Sequence, residues 1–139
     1  MTPAVIKTLM EEEGFRPSAY PDHLGFTTIG HGICIDARKG CGITVEESEY
    51  LLKNRVGLAV RGLAAALPWY FSLDDARRKA LALMAYQLGV KGVLNFKKML
   101  DAMKYGDFGR AADEALDSTW AKQTPKRAYR VSQLIRNGE

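Results

Sequence analysis

Between Phe15 and Ile35 the helical period that governs most of this chain is lost, and that window restricts its fold most tightly. Pro17, Pro21, Gly25, Gly30 and Gly32 punctuate short segments that hold Phe26, Thr27, Thr28, Ile29, Ile33 and Ile35. β-Branched and aromatic residues set between such turn formers suit a small antiparallel sheet with tight turns. The expected fold class is α+β: a small sheet-bearing lobe within an otherwise helical chain.

Helical signals stand on both sides of the window. Thr2 and Pro3 open a helix as N-cap and first residue. Ile6, Leu9, Met10 and Glu13 follow at steps of three and four, and Gly14 supplies the stop. Asp36 to Gly42 reads as a polar connecting loop. Thr44 and Glu47 form a capping-box signature, and the apolar stripe Val45, Leu52, Val56, Ala59, Leu63, Leu67 runs to Pro68. A helix that long can join two lobes, and Gly57 and Gly62 allow it a bend or close packing. Ala80 to Leu88 is apolar nearly all round, which places it in the middle of a helical lobe, with Gly89 and Gly92 breaking the helix after it. Further helices are expected over 93–105, 107–118 and from Thr124 to Arg136. The expected layout is one domain: helix 2–13, β-rich lobe 14–42, linking helix 44–67 and helical lobe 68–139.

A length of 139 residues fits one domain, or two lobes sharing a helix, and 47% hydrophobic residues suffice for a core. A formal net charge of +4 favours an anionic partner, whether nucleic acid, cell-wall polymer or lipid headgroup. The longest apolar run, Ala80 to Tyr86, is too short to span a bilayer, and no signal-like apolar region precedes Glu11. Stable membrane insertion is not expected. Cys34 and Cys41 can close a small loop as a disulfide, but without an export signal two free thiols are the expectation. Together with His23 and His31 they lack the tight pair spacings of a zinc finger, so no metal is expected.

Glu13 is the first candidate for chemistry. A carboxyl on an apolar stripe is partly desolvated, and the C-terminal end of a helix disfavours another negative charge. Both effects favour the protonated form that a general acid requires; the competing reading is a helix-end Glu that bends out to water. Asp22 in Pro21-Asp22-His23-Leu24-Gly25 and Thr28 in a strand are each ordinary when taken singly.

Taken together, Glu13, Asp22 and Thr28 stand in the pattern EGxR…Y-x-D-x-x-G-x-x-T-I-G-x-G, carried by Glu13, Gly14, Arg16, Tyr20, Asp22, Gly25, Thr28, Ile29, Gly30 and Gly32. This resembles the N-terminal lobe of the phage-type lysozymes, the glycoside hydrolase family 24 muramidases. The resemblance continues through 59–62, 72–78, Gln87-Leu88-Gly89 with Gly92-Val93, and Trp120 followed by 123–128. It implies a lysozyme-like fold, a small antiparallel lobe joined by a long helix to a mainly helical lobe. It also implies hydrolysis of the β-1,4 bond between N-acetylmuramic acid and N-acetylglucosamine in peptidoglycan, with inversion and without a cofactor. By that resemblance Glu13 protonates the leaving oxygen, while Asp22 and Thr28 hold or activate water and stabilise the oxocarbenium-like state. Arg127, on the stripe of the last helix with Val131 and Leu134, would pair with Glu13. Gln87, His31 and Trp120 are candidate substrate contacts, against the plainer readings of a core Gln, a solvated strand His and a core Trp.

Two departures stand out. Members of the family often carry His where this chain has Ile33, with His31 in the variable slot before it, and they can continue for another helical segment beyond the position of Glu139. The expected protein is a monomeric endolysin or tail-associated enzyme made in the cytoplasm of a host bacterium. It would reach the periplasmic wall through a holin lesion or by particle delivery. A wall- or phage-protein-binding module on the same fold is the alternative. The basic runs Arg77-Arg78-Lys79 and Lys126-Arg127 match no nucleic-acid recognition motif and read as solvated helix faces.

Overall fold

The computed structural model describes residues 2–138 and divides into two compact units, the first ending at Tyr50 and the second beginning at Leu51. The first unit starts with α1 (Pro3–Glu13), capped by the Thr2 hydroxyl, which accepts from the Val5 N–H at 3.4 Å. Gly14 ends the helix with φ 68°, its N–H donating to the Met10 carbonyl. Three antiparallel strands follow in the order β1 (Arg16–Pro21), β2 (Thr27–Gly30), β3 (Ile33–Cys34). Thr28 is the central register residue, facing Tyr20 on one side and Cys34 on the other. Arg16 lies over the Tyr20 ring, 4.2 Å from its centroid.

The loop after β3 is more ordered than its polar composition suggests. Ala37–Lys39 forms a 3-10 turn capped by the Asp36 side chain and ended by Gly40 in the left-handed region. Cys34 and Cys41 are joined, with Cα atoms 5.7 Å apart, so the expected free thiols are corrected to a disulfide. The polar turn brings the two chain ends of that loop together, which residue spacing alone does not reveal.

The linking helix α2 (Val45–Ala66) carries the anticipated capping box: Thr44 N–H donates to Glu47 Oε1 at 2.8 Å and Glu47 N–H to Thr44 Oγ1 at 3.1 Å. It leads into the second unit, which is wholly helical. There α3 (Asp75–Leu94) is followed by α4 (Lys97–Lys104), α5 (Phe108–Leu116), α6 (Thr119–Gln123) and α7 (Pro125–Asn137). The breaks at Gly89 and Gly92 are half right. Gly89 departs from helical geometry at φ 78° and kinks α3, but the helix resumes and runs to Leu94. Gly92 is needed because a side chain there would press on Leu88 Cβ. Gly62 of α2 likewise makes room, with a Cβ at its position meeting Val90 Cγ2 at 2.8 Å.

The apolar core lies in the second unit. Leu63, Leu81, Met84, Val93, Met99, Met103, Val131 and Ile135 are all but inaccessible to solvent. Across α1 no side chain is buried, although its apolar stripe exists. The side chains buried in the first unit, among the described residues, are polar: Thr28 and Asp36.

Candidate active site

Glu13 is the last residue of α1, and its carboxyl rests against Gly32 in the turn between β2 and β3. A Cβ on Gly32 would overlap that carboxyl, and φ 68° there already favours glycine. Glu13 is exposed, so the unit's own residues do not supply the desolvation expected from the apolar stripe. The small sheet has too few apolar side chains to cover an eleven-residue helix.

Asp22 opens the turn between β1 and β2, its carbonyl accepting from the Gly25 N–H at 2.9 Å. One carboxylate oxygen, Oδ1, accepts from the N–H groups of Leu24 and Phe26, both at 2.9 Å, which leaves Oδ2 uncommitted within this turn. The Phe26 N–H, with that of Leu24 and the positive charge of His23 and Lys39 nearby, outweighs partial burial and holds the Asp22 carboxyl below the usual aspartate value. Such a group stays ionised.

Thr28 is 4% exposed, and its hydroxyl donates to the Phe26 carbonyl at 3.0 Å. That carbonyl also accepts from the Asp22 N–H at 2.8 Å. The two peptide groups of Phe26 therefore tie Asp22 to Thr28. With its proton committed, the threonine oxygen can only accept from a further partner such as water. Phe26 was not among the sequence candidates, because peptide groups are common to every residue. The one available signal was an Asp placed to bond its own following turn.

His31 sits in the turn between β2 and β3 rather than on a solvated strand position. Its Nδ1 lies 2.7 Å from the Gly14 carbonyl, and its ring packs on Phe15 with centroids 5.2 Å apart. With Ile6, Met10 and Phe15 it lines an open groove beside α1.

The second unit gathers the other candidates. Gln87 Oε1, on α3, accepts from Trp120 Nε1 at 3.0 Å and from Arg127 Nη1 at 3.4 Å. Gln87 and Arg127 are exposed, while Trp120 is 5% exposed and meets Phe96 edge to face at 5.9 Å. Trp120 is thus a core residue whose indole N–H fixes the Gln87 amide and leaves its Nε2 free to donate. Trp120 also lines, with Gln123, Lys97 and Asp117, a groove of about 680 Å³. Among the described residues no cluster of His, Cys, Asp and Glu is arranged to hold a metal, and no helix is long and apolar enough to cross a membrane.

A three-stranded antiparallel lobe linked through one long helix to a helical lobe defines the lysozyme-like class of α+β proteins. The chain belongs to the phage lysozyme family, whose model matches residues 10–136. It is 34% identical over 113 residues to each of two probable T4-type lysozymes of Dictyostelium discoideum, covering 79% of this chain and 66% of each relative. It is also 31% identical to the pre-baseplate central spike protein Gp5 of Enterobacteria phage T4, covering 97% of this chain. The chain spans about two thirds of the length of the Dictyostelium relatives and 28% of the spike protein.

Proposed function

We propose that this chain hydrolyses peptidoglycan, cleaving the β-1,4 bond between N-acetylmuramic acid and N-acetylglucosamine with inversion. Glu13 delivers a proton to the departing sugar oxygen. The free Oδ2 of Asp22 takes a proton from the attacking water, and Thr28 Oγ1 accepts the other hydrogen bond of that water. The anionic Asp22 also favours the positive charge that develops on the sugar ring. Gln87, with its amide fixed by Trp120, offers Nε2–H to the substrate. The observation that supports the reading is the bridge through Phe26, whose N–H donates to the Asp22 carboxylate and whose carbonyl accepts from the Thr28 hydroxyl, within a chain of the phage lysozyme family.

The enzyme acts on the wall of a bacterium after synthesis in its cytoplasm, as an endolysin released through a holin lesion or as part of a particle. Its likeness to a phage spike protein supports delivery by a particle. Incubation with purified peptidoglycan and analysis of the products tests the reaction. New reducing muramic-acid ends of inverted configuration are expected. Anhydromuramic ends would mean a transglycosylase, and binding without cleavage would mean a wall-binding module. Glu13→Gln is expected to lower kcat by about a thousandfold or more with the fold intact. Asp22→Asn is expected to be severely impaired, and Thr28→Ser mildly so because a hydroxyl remains. Near wild-type turnover in Glu13→Gln removes Glu13 as the acid.

A further inference from the structure

Phe26 joins Asp22 to Thr28, yet its own peptide groups do not explain what holds it there. Its ring is bracketed by two cations, the Arg38 guanidinium carbon 5.4 Å and Lys39 Nζ 5.3 Å from the ring centroid. Arg38 also reaches the residue before it, donating through Nη2 to the Gly25 carbonyl at 2.8 Å. The same guanidinium chelates Asp36, with Nη2 to Oδ2 at 2.7 Å and Nε to Oδ1 at 3.0 Å. Asp36 in turn reaches the residue after Phe26: its Oδ2 accepts from the Thr27 N–H at 2.9 Å. One ion pair therefore grips three consecutive residues, Gly25, Phe26 and Thr27. The loop bearing that pair is closed by the Cys34–Cys41 disulfide, and Cys34 stands across the sheet from Thr28.

We propose that the Asp36–Arg38 pair is a positioning device for hydrolysis: it fixes the Gly25–Phe26–Thr27 backbone and through it aligns the Asp22 carboxylate with the Thr28 hydroxyl. This rests on the assignment of Asp22 and Thr28 to the chemistry. Stability is only part of it: the pair keeps the buried Asp36 carboxylate partnered, while its other member, Arg38, is 68% exposed. What the pair supplies is geometry, a planar fork that satisfies one carboxylate and one carbonyl at fixed angles. The carboxyl of Asp36 is held far below the usual aspartate range by the Arg38 guanidinium and the Thr27 and Arg38 N–H groups, so the grip persists wherever Asp22 is ionised.

Arg38→Ala, Arg38→Lys and Asp36→Asn are compared with wild type in kcat, KM and the carbon-13 titration of the Asp22 carboxyl. For Arg38→Ala, kcat is expected to fall about tenfold while KM stays within a factor of about two. As the Phe26 N–H slackens, the Asp22 titration and the acid limb of the kcat profile should both move up. His23 and Lys39, the other charges near Asp22, are unchanged in these variants. Arg38→Lys keeps a cation near Phe26 without the fork and should fall between the two. Asp36→Asn should resemble Arg38→Ala. The proposal is overturned if kcat and the Asp22 titration are those of wild type, or if activity falls only with the folded fraction while the Asp22 titration stays fixed. Should Arg38→Ala not fold, the other two variants carry the same measurements. The titration does not depend on turnover, so an inactive wild type or an active Asp22→Asn would sink the catalytic assignment and still leave the grip on Asp22 measurable.

Discussion

At position 32 hydrogen is the only side chain that leaves room for the Glu13 carboxyl. Gly32→Ala should cost about 1 kcal/mol from its left-handed backbone, and it should also swing Glu13 away from its place. The expected outcome is a kcat loss of about tenfold or more, larger than the small fall in folded population explains. Single-turnover kinetics at a temperature well below the melting midpoint separates the two effects. Glu13, Asp22 and Thr28 could be picked from the sequence because their side chains are of the types the proposed chemistry needs and stand at a recognisable spacing. Gly32 and Phe26 could not be assigned roles, since one contributes an absence of atoms and the other only peptide groups. The tie of His31 to the Gly14 carbonyl is not legible in the sequence, because it lies across a turn that residue order does not show.

Two crosslinks of different kinds converge on the segment between β3 and α2, a covalent one from Cys34 to Cys41 and an ionic one from Asp36 to Arg38. The covalent link closes a short loop, for which the chain-entropy model gives about 2.5 kcal/mol. Reducing it, or replacing both cysteines with alanine, is therefore expected to lower the melting midpoint of the first unit. The second unit, with its own apolar core, should melt unchanged. Differential scanning calorimetry with and without a thiol reductant checks this, and an unchanged profile would discount the loop as a brace. The longer elements were readable because period and caps agree, as at Thr44 and Glu47 of α2. By contrast α6 (Thr119–Gln123) is too short to show a period, and only its Ser118 cap marks it. Gly92 has the look of a helix stop because a glycine that ends a helix and one that lets Leu88 pack are alike in sequence.

For the whole molecule, the formal net charge of +4 matters for encounter more than for fold. Binding to anionic wall polymer should weaken steadily as ionic strength rises through about 0.1 M, where screening acts over about 10 Å. Pull-down on wall preparations across a salt series tests it, with affinity independent of salt counting against an electrostatic contribution. Screening should leave the grip of Asp36 on Thr27 largely untouched, since that carboxylate is buried.

The second unit also stores sulfur in its interior. Met84, Met99 and Met103 are sealed from solvent, whereas Met10 on α1 is 45% exposed. Thioethers react with peroxide only when it can reach them, and sulfoxide is too polar to return to an apolar core. In mild peroxide Met10 should gain oxygen before the three interior methionines, which should do so only as fast as the helices part. Peptide mass spectrometry of a peroxide time course would then record, methionine by methionine, how often the helical unit breathes. Any molecule caught open would acquire an oxygen atom that hinders its closing again.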